Sequence, residues 1–365
     1  MDSIFDIFLV ATPGLESPLA AEATELGWQP VIQPGGVTIR GGWPDVWRAN
    51  LHLRGATRVL ARIGGFRAMH LAQLDKRARK FPWADLLRAD LPVRVETVCR
   101  ASKIYHAGAA TQRIERAITE ELGAPITPDA PIVIKARIED DLVTFSVDTT
   151  GESLHKRGHK LAVAKAPMRE TMAAMFLREV GFDGSQPVLD PMCGSGTFVI
   201  EAAEIAAGLP AGRSRSFAFE ELGSFDAQAW AALRAPVTPR DTGLRFYGSD
   251  RDAGAIRGSI QNAERAGVAG LTQFTCAPVS DLQRPDGPPG IIMINPPYGA
   301  RIGNKGPLFG LHAAMGEVFR TRFSGWRVGI VTSEQSLARA TGLNLTGGPV
   351  VAHGGLKVRL WQGVA

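Results

Sequence analysis

Residues 187–206 read PVLDPMCGSGTFVIEAAEIA. A short apolar run ends at Asp190, a glycine-rich turn follows, and apolar residues then recur at helical spacing. This is a strand, a tight loop and a helix. Gly194 and Gly196 carry no Cβ, so the backbone can turn sharply there and a ligand can approach it closely. The helix N-terminus beyond them presents free N–H groups and a positive dipole end to a carboxylate or phosphate. A dinucleotide fingerprint would need G-x-G-x-x-G and an acid about 20 residues further on. Val199 stands at the third glycine position, and the next well-placed acid is Asp250. An adenosyl ligand bearing a methionine carboxylate fits better, with Asp190 beside its ammonium group. The spare alternative is a plain strand-to-helix turn.

Downstream, the pattern repeats strand and helix. Strands are expected at 244–250, 271–276, 290–294 and 326–332, with helices at 168–180, 252–266 and 308–322. Such alternation predicts a parallel α/β sheet. FYGSDRD (246–252) ends a strand at Asp250. In an open α/β sheet ligands bind beyond the carboxyl ends of the strands, where Asp250 can accept both ribose hydroxyls. Asp252 is placed to cap the helix that follows.

IIMINPPYGARIG (291–303) is an apolar strand followed by Asn295-Pro296-Pro297-Tyr298. Two prolines fix φ and supply no N–H donors, so carbonyls are held outward as acceptors. The amide oxygen of Asn295 and the carbonyl of Pro296 can each accept one hydrogen of an exocyclic amine. Such an amine is a poor nucleophile because its lone pair is delocalised. Two acceptors on its hydrogens stabilise the positive charge that develops during methyl transfer. Tyr298 offers a flat face to an extruded base. The bland reading is a proline-rich turn after a buried strand.

The first 150 residues read as two α+β units. Strand 4–11, helix 15–26 and a hairpin return at 35–40 form the first. Helix 43–54, strands at 57–63, 93–99, 132–138 and 142–148, and helix 109–122 form the second. GESLHKRGHKLAVAKAP then looks like a connector. A long insertion lies between Gly208 and Thr242.

The chain has 365 residues, 45% of them hydrophobic and 21% charged, with a formal net charge of +5. That is an ordinary globular composition with a mild basic bias, compatible with a polyanionic partner. Cys99, Cys193 and Cys276 form no C-x-x-C pair, which excludes a zinc ribbon or a disulfide framework. The N-terminus lacks a basic n-region, and no apolar run approaches a membrane span. A cytoplasmic protein is expected. Cys193 has no nearby histidine in sequence and reads as packing near the ligand. His155 and His159 lie four apart without helical pattern, so no metal site is expected. With Lys156 and Arg157 they form either a solvated basic loop or an RNA contact. LDKRARKFPW (74–83) is either a solvated helix face or a surface for RNA backbone and bases.

DPMCGSGT, GSDRD and NPPYG, in that order, resemble the THUMP-domain RNA methyltransferases of the guanine-N2 type, in particular the bacterial enzymes of large-subunit ribosomal RNA. ATPGLE (11–16), DTTGESLHKRGHK (148–160), APMRETMAA (166–174), FAFE (217–220) and FSGWRVGIVTS (323–333) extend the likeness to nearly the whole chain. The resemblance implies a ferredoxin-like unit over 1–42, a THUMP RNA-binding domain over 43–150, a connector over 151–166 and a Rossmann-like methyltransferase domain over 167–365. It implies S-adenosylmethionine as cofactor, held by Asp190, Gly194, Gly196 and Asp250, with Asn295, Pro296 and Tyr298 on the target amine and Asn295 touching the cofactor as well. Such enzymes often place an acid just after the third strand for the adenine amine. Here Pro278 is near that position and Asp281 is the available substitute. The implied substrate is guanine N2 in 23S ribosomal RNA. Transfer RNA is the alternative within the enzyme class. A non-catalytic RNA-binding assembly factor is the alternative outside it.

Overall fold

The computed structural model describes residues 4–162, 167–298 and 306–365. The end of the connector (163–166) and residues 299–305, which include Gly299 of the NPPYG motif, lie outside them. The chain divides into two compact units. One comprises residues 1–10, 23–154 and 215–235, and the other residues 11–22, 155–214 and 236–365.

In order, the elements are β1 (Phe5–Val10), α1 (Glu16–Glu25), β2 (Val31–Gln33), β3 (Gly36–Gly41), α2 (Trp43–His52), β4 (Arg58–Arg67), α3 (Leu71–Ala78), β5 (Val93–Arg100), α4 (Ala107–Leu122), β6 (Ile132–Glu139) and β7 (Leu142–Asp148). Then follow α5 (Glu170–Glu179), β8 (Val188–Asp190), α6 (Thr197–Ala206), α7 (Ala227–Leu233), β9 (Phe246–Asp250), α8 (Ala253–Arg265), β10 (Thr272–Cys276), β11 (Ile291–Ile294), α9 (Gly306–Arg322), β12 (Arg327–Thr332), α10 (Gln335–Ala340), β13 (Thr346–Gly347), β14 (Val351–His353) and β15 (Leu356–Val364).

The first unit holds one seven-stranded sheet in the order β2-β3-β1-β4-β7-β6-β5. The expected boundary at residue 42 does not interrupt it, because β4 pairs with β1 on one side and β7 on the other. Buried Ile7, Leu9, Ile39, Val59 and Ala61 alternate with outward residues along these strands, as one covered sheet face requires. Residues 215–235, inside the expected insertion, belong to this unit. Phe219 and Phe225 stand 6.1 Å from the ring of Trp47, and Phe219 packs edge-on to Trp230 at 4.9 Å.

The second unit holds the parallel sheet. Its order β10-β9-β8-β11-β12 is doubly wound, and β15 joins β12 antiparallel. β11 reads Ile-Ile-Met-Ile and is buried throughout, as a central parallel strand covered on both faces must be. Chain direction along the sheet reverses its winding between β8 and β11, its topological switch point, where a crevice opens beyond the carboxyl ends. β8 ends at Asp190 there, and β11 leads directly into Asn295. The mixed α/β fold with a Rossmann-like parallel sheet is therefore as expected. Among the described residues no helix is long and apolar enough to cross a membrane.

Candidate active site

Three strand ends build the site. Leu189 pairs with Ile292 of β11 and with Tyr247 of β9, so Asp190, Asp250 and Asn295 all emerge at the carboxyl edge of the sheet. Asp190 is 3% exposed and accepts the Met192 N–H at 3.0 Å. Burial pushes its carboxyl up to about 8, the Met192 hydrogen bond opposes this, and the negative charge of Asp250 adds to it. A carboxyl kept out of water with no cation against it among the described residues is poised to take a positively charged group.

The glycine loop is tied down on every side. Gly194 and Gly196 sit at φ +53° and +79°, which a residue with a Cβ seldom adopts. A Cβ on Gly196 would also lie 3.1 Å from Ser259. The Gly194 N–H donates to Asp250 Oδ2 at 3.0 Å, and the Asp252 N–H donates to Asp250 Oδ1 at 2.9 Å. Ser259 Oγ donates to the Gly194 carbonyl at 2.8 Å, and Asn262 Nδ2 to the Ser195 carbonyl at 3.1 Å. Sequence reasoning overlooked Ser259 and Asn262. Their three-residue spacing on a helix, the only local sign, places both on the face turned to the loop. Asp252 caps α8 through the Gly254 and Ala255 N–H groups, as expected. Asp250 is thus a brace of the loop, with one lone pair on each oxygen left for a ligand.

Cys193 is a packing residue. Its Sγ lies 4.0 Å from Ser259 Oγ, and burial, reinforced by Asp190 and Asp250, pushes its thiol well up, so no thiolate forms. Asp281 closes a single 3-10 turn after β10, exposed, and accepts the Ser280 hydroxyl at 3.0 Å.

After β11, Pro296 is buried and Tyr298 half-buried, and burial pushes the Tyr298 hydroxyl up to about 12. Asn295 Oδ1 is buried and has no hydrogen-bond partner among the described residues. Buried amide oxygens are seldom left so. An acceptor without a donor, held by a rigid dipeptide at the switch point, matches a site that awaits an N–H from outside the chain.

The connector departs from the expected solvated loop at Arg157 and His159, while Lys156 is exposed. Arg157 is a buried ion pair with Glu201 of α6, at 3.0 Å and with both side chains 1% exposed. His159 Nε2 lies 3.5 Å from Glu204 Oε1, one turn along the same helix. Burial lowers His159 despite Glu204 and Glu201, and burial with Arg169 and other cations pushes His155 down to about 4. These charges hold the connector onto α6; Arg157 and His159 are not solvated. Among the described residues no group of three or more His, Cys, Asp or Glu could hold a metal ion.

Residues 157–348 match the family described as RMKL-like, methyltransferase domain, and residues 6–60 match the RlmL ferredoxin-like domain. The ribosomal RNA large subunit methyltransferase K/L of Allochromatium vinosum is 34% identical over 380 residues, 98% of this chain and 51% of the relative. The chain spans about half the length of such curated relatives. A solved putative methyltransferase complexed with SAH has a TM-score of 0.88 at 26% identity, covering 100% of this chain and 99% of that one. A predicted N6-adenine-specific DNA methylase from Listeria monocytogenes has a TM-score of 0.87 at 31% identity, covering 99% and 96%. The matched region takes in the glycine loop, Asp250 and Asn295, and this chain belongs to the RMKL-like methyltransferase family.

Proposed function

We propose that this chain methylates the exocyclic N2 of a guanine in ribosomal RNA, 23S rather than 16S, using S-adenosylmethionine. The observation that carries the reading is the buried Asn295 Oδ1 beyond β11, which has no hydrogen-bond partner among the described residues. The residues fit the cofactor. Asp190 is a buried carboxyl without a cation among the described residues, α6 begins at Thr197 behind Gly196 with no side-chain cap, and the glycines leave room for close approach. Asp250 keeps acceptor capacity for ribose hydroxyls, and Asp281 is the acid available for the adenine amine. Bound S-adenosylmethionine would supply an electrophilic methyl group on a sulfonium.

The chain's own part is electrostatic. Asn295 Oδ1 and the Pro296 carbonyl accept the two hydrogens of the target amine and draw its lone pair toward the methyl group. Their attraction grows as charge builds on nitrogen, so it lowers the barrier more than it tightens binding. Tyr298 stays protonated at neutral pH and serves as a stacking face. The amine proton leaves after transfer, when the nitrogen is acidic enough to lose it to water. Ribosomal RNA is supported by the printed name of the Allochromatium relative; an RNA-binding THUMP domain in the first unit, expected over 43–150, belongs to the same proposal, and the RlmL ferredoxin-like match over 6–60 overlaps its start.

Mass analysis of nucleosides from cells lacking the gene, with 23S, 16S and transfer RNA separated, tests this. Loss of N2-methylguanosine from 23S RNA alone is expected. Its loss from transfer RNA, a loss of N6-methyladenosine, or no loss at all would each overturn the assignment.

A further inference from the structure

The acceptors of Asn295 and Pro296 suit the exocyclic amine of guanine and of adenine alike. The two amines differ in what lies beside them. In guanine the N2 amine adjoins the ring N1–H, which is a donor. In adenine the N6 amine adjoins N1 as a bare lone pair, which is an acceptor. A second protein acceptor next to Asn295 Oδ1 would therefore welcome guanine and repel adenine.

α9 carries such an acceptor. Leu308, His312, Met315 and Phe319 form its buried stripe, at helical spacing. Met315 and Phe319 share one core with Ile292 and Ile294 of β11 and Val328 and Ile330 of β12. His312 is 0% exposed and extends this stripe toward the start of α9, the end nearest Asn295 in the chain. Three helical residues rise about 4.5 Å, and one strand residue about 3.3 Å. With Met315 in the core that holds Ile294, His312 comes to the level of Asn295, the residue after Ile294. Glu334, two residues past the end of β12, lies close enough for its charge to act on the ring. His312 thus belongs to the carboxyl edge of the sheet, where Asn295 emerges.

Its ring is held in one tautomer. His312 Nδ1 lies 2.8 Å from the Leu308 carbonyl. A carbonyl only accepts, so Nδ1 carries the hydrogen and Nε2 keeps its lone pair. Burial lowers the pKa of the ring, with the Leu308 bond and Glu334 opposing, so the neutral form persists. Nε2 is buried and has no hydrogen-bond partner among the described residues. Such an acceptor is costly unless a donor reaches it. Asn295 Oδ1 is in the same condition.

We propose that His312 Nε2 accepts the N1–H of the target guanine while Asn295 Oδ1 accepts the neighbouring N2 hydrogen, so that His312 sets the choice of guanine over adenine. Adenine would bring its N1 lone pair against that of Nε2 and leave two buried acceptors facing each other unpaired. This rests on the guanine-N2 reading above.

Single-turnover methyl transfer by the full chain to two RNA targets tests it. One is a ribosomal RNA fragment carrying the target guanosine. The other has 2-aminopurine at that position, which keeps the 2-amine but presents N1 as an acceptor. Losing one buried hydrogen bond and leaving its acceptor unpaired costs about tenfold or more. The wild-type chain should prefer guanosine by at least that factor. His312→Asn keeps a donor near the Nδ1 position and removes Nε2, so the preference should shrink about tenfold, with S-adenosylhomocysteine affinity within about twofold of the wild type. His312→Gln places an amide near the Nε2 position and should restore part of the preference. A wild-type chain that treats both targets alike would overturn the proposal. So would a His312→Asn variant that slows both equally or loses S-adenosylhomocysteine affinity, or a His312→Gln variant no more selective than His312→Asn. A wild-type chain that methylates neither target would instead remove the guanine-N2 reading, and the proposal with it.

Discussion

The loop after β8 and the loop after β11 leave the same edge of the same sheet, yet they are finished to different degrees. In the first, Asp250 takes the Gly194 and Asp252 N–H groups while Ser259 and Asn262 take the Gly194 and Ser195 carbonyls. In the second, two prolines offer no N–H donors and Asn295 Oδ1 has no partner among the described residues. A loop whose polar groups are paired beforehand is a rigid seat. A loop with a buried acceptor left open lowers a barrier only when its missing donor arrives. Affinity for the cofactor should therefore depend on the first loop and turnover on the second.

The sharpest way to break this division is Asn295→Ala. It removes the acceptor and keeps Pro296-Pro297, so the loop shape survives. Loss of one preorganised partner at a developing charge costs on the order of a hundredfold or more in rate. Single-turnover methyl transfer should fall by that much, while S-adenosylhomocysteine affinity changes little. Asn295→Asp keeps an acceptor and should retain part of the rate.

Next in size is Asp250→Ala. Sequence alone predicts a loss of ligand hydrogen bonds without harm to the fold. The structure adds that the carboxylate braces Gly194 and Asp252, so the variant should lose about tenfold or more in S-adenosylhomocysteine affinity and also melt a few degrees lower. Calorimetry and thermal unfolding check the two halves of this expectation. Unchanged affinity would move the seat elsewhere.

A third test uses pH. Without ligand, burial keeps Asp190 protonated up to about pH 8. An ammonium group beside it favours the ionised form and lowers that value. Ligand binding then releases a proton, and affinity is lost as pH falls below about 8, approaching tenfold per pH unit. S-adenosylhomocysteine titrations between pH 6 and 8.5 should show this slope, and Asp190→Asn should flatten it.

The smallest effect should come from the first unit. Lys76, Arg77 and Lys80 are exposed on or just after α3. If they contact RNA backbone, their joint replacement by alanine weakens RNA binding severalfold, lowers its salt dependence by about one phosphate contact per residue removed, and leaves cofactor affinity unchanged. Filter binding at several salt concentrations measures both the affinity and the slope.

Most of the second unit was legible because its signals are local. A buried parallel strand such as β11 is a continuous apolar run, and glycine, proline and acidic residues punctuate the strand ends. What could not be read depends on distant partners. β2 is three residues long, and its Val31 and Ile32 are exposed, so neither length nor alternation marks it. Beyond β12, β15 alternates only in part because β12, β13 and β14 all pair along it. Phe219 and Phe225 lie in what reads as a loose insertion, and Trp47, far earlier in the chain, packs against both. Arg157 resembles a solvated cation until Glu201, 44 residues on, is found against it. Among the candidate site residues, Asp190, Gly194, Gly196, Asp250 and Asn295 could be named from sequence, whereas Ser259 and Asn262 could not, since the loop carbonyls they hold lie 65 and 67 residues away in the chain.

The most direct measurement gives the purified chain methyl-labelled S-adenosylmethionine and unmodified 23S RNA, in parallel with its Asn295→Ala variant, followed by digestion to nucleosides. The account predicts label in N2-methylguanosine for the wild-type chain and about a hundredfold slower labelling for the variant, with equal S-adenosylhomocysteine affinity. Label in N6-methyladenosine, or a variant as fast as the wild type, would contradict it.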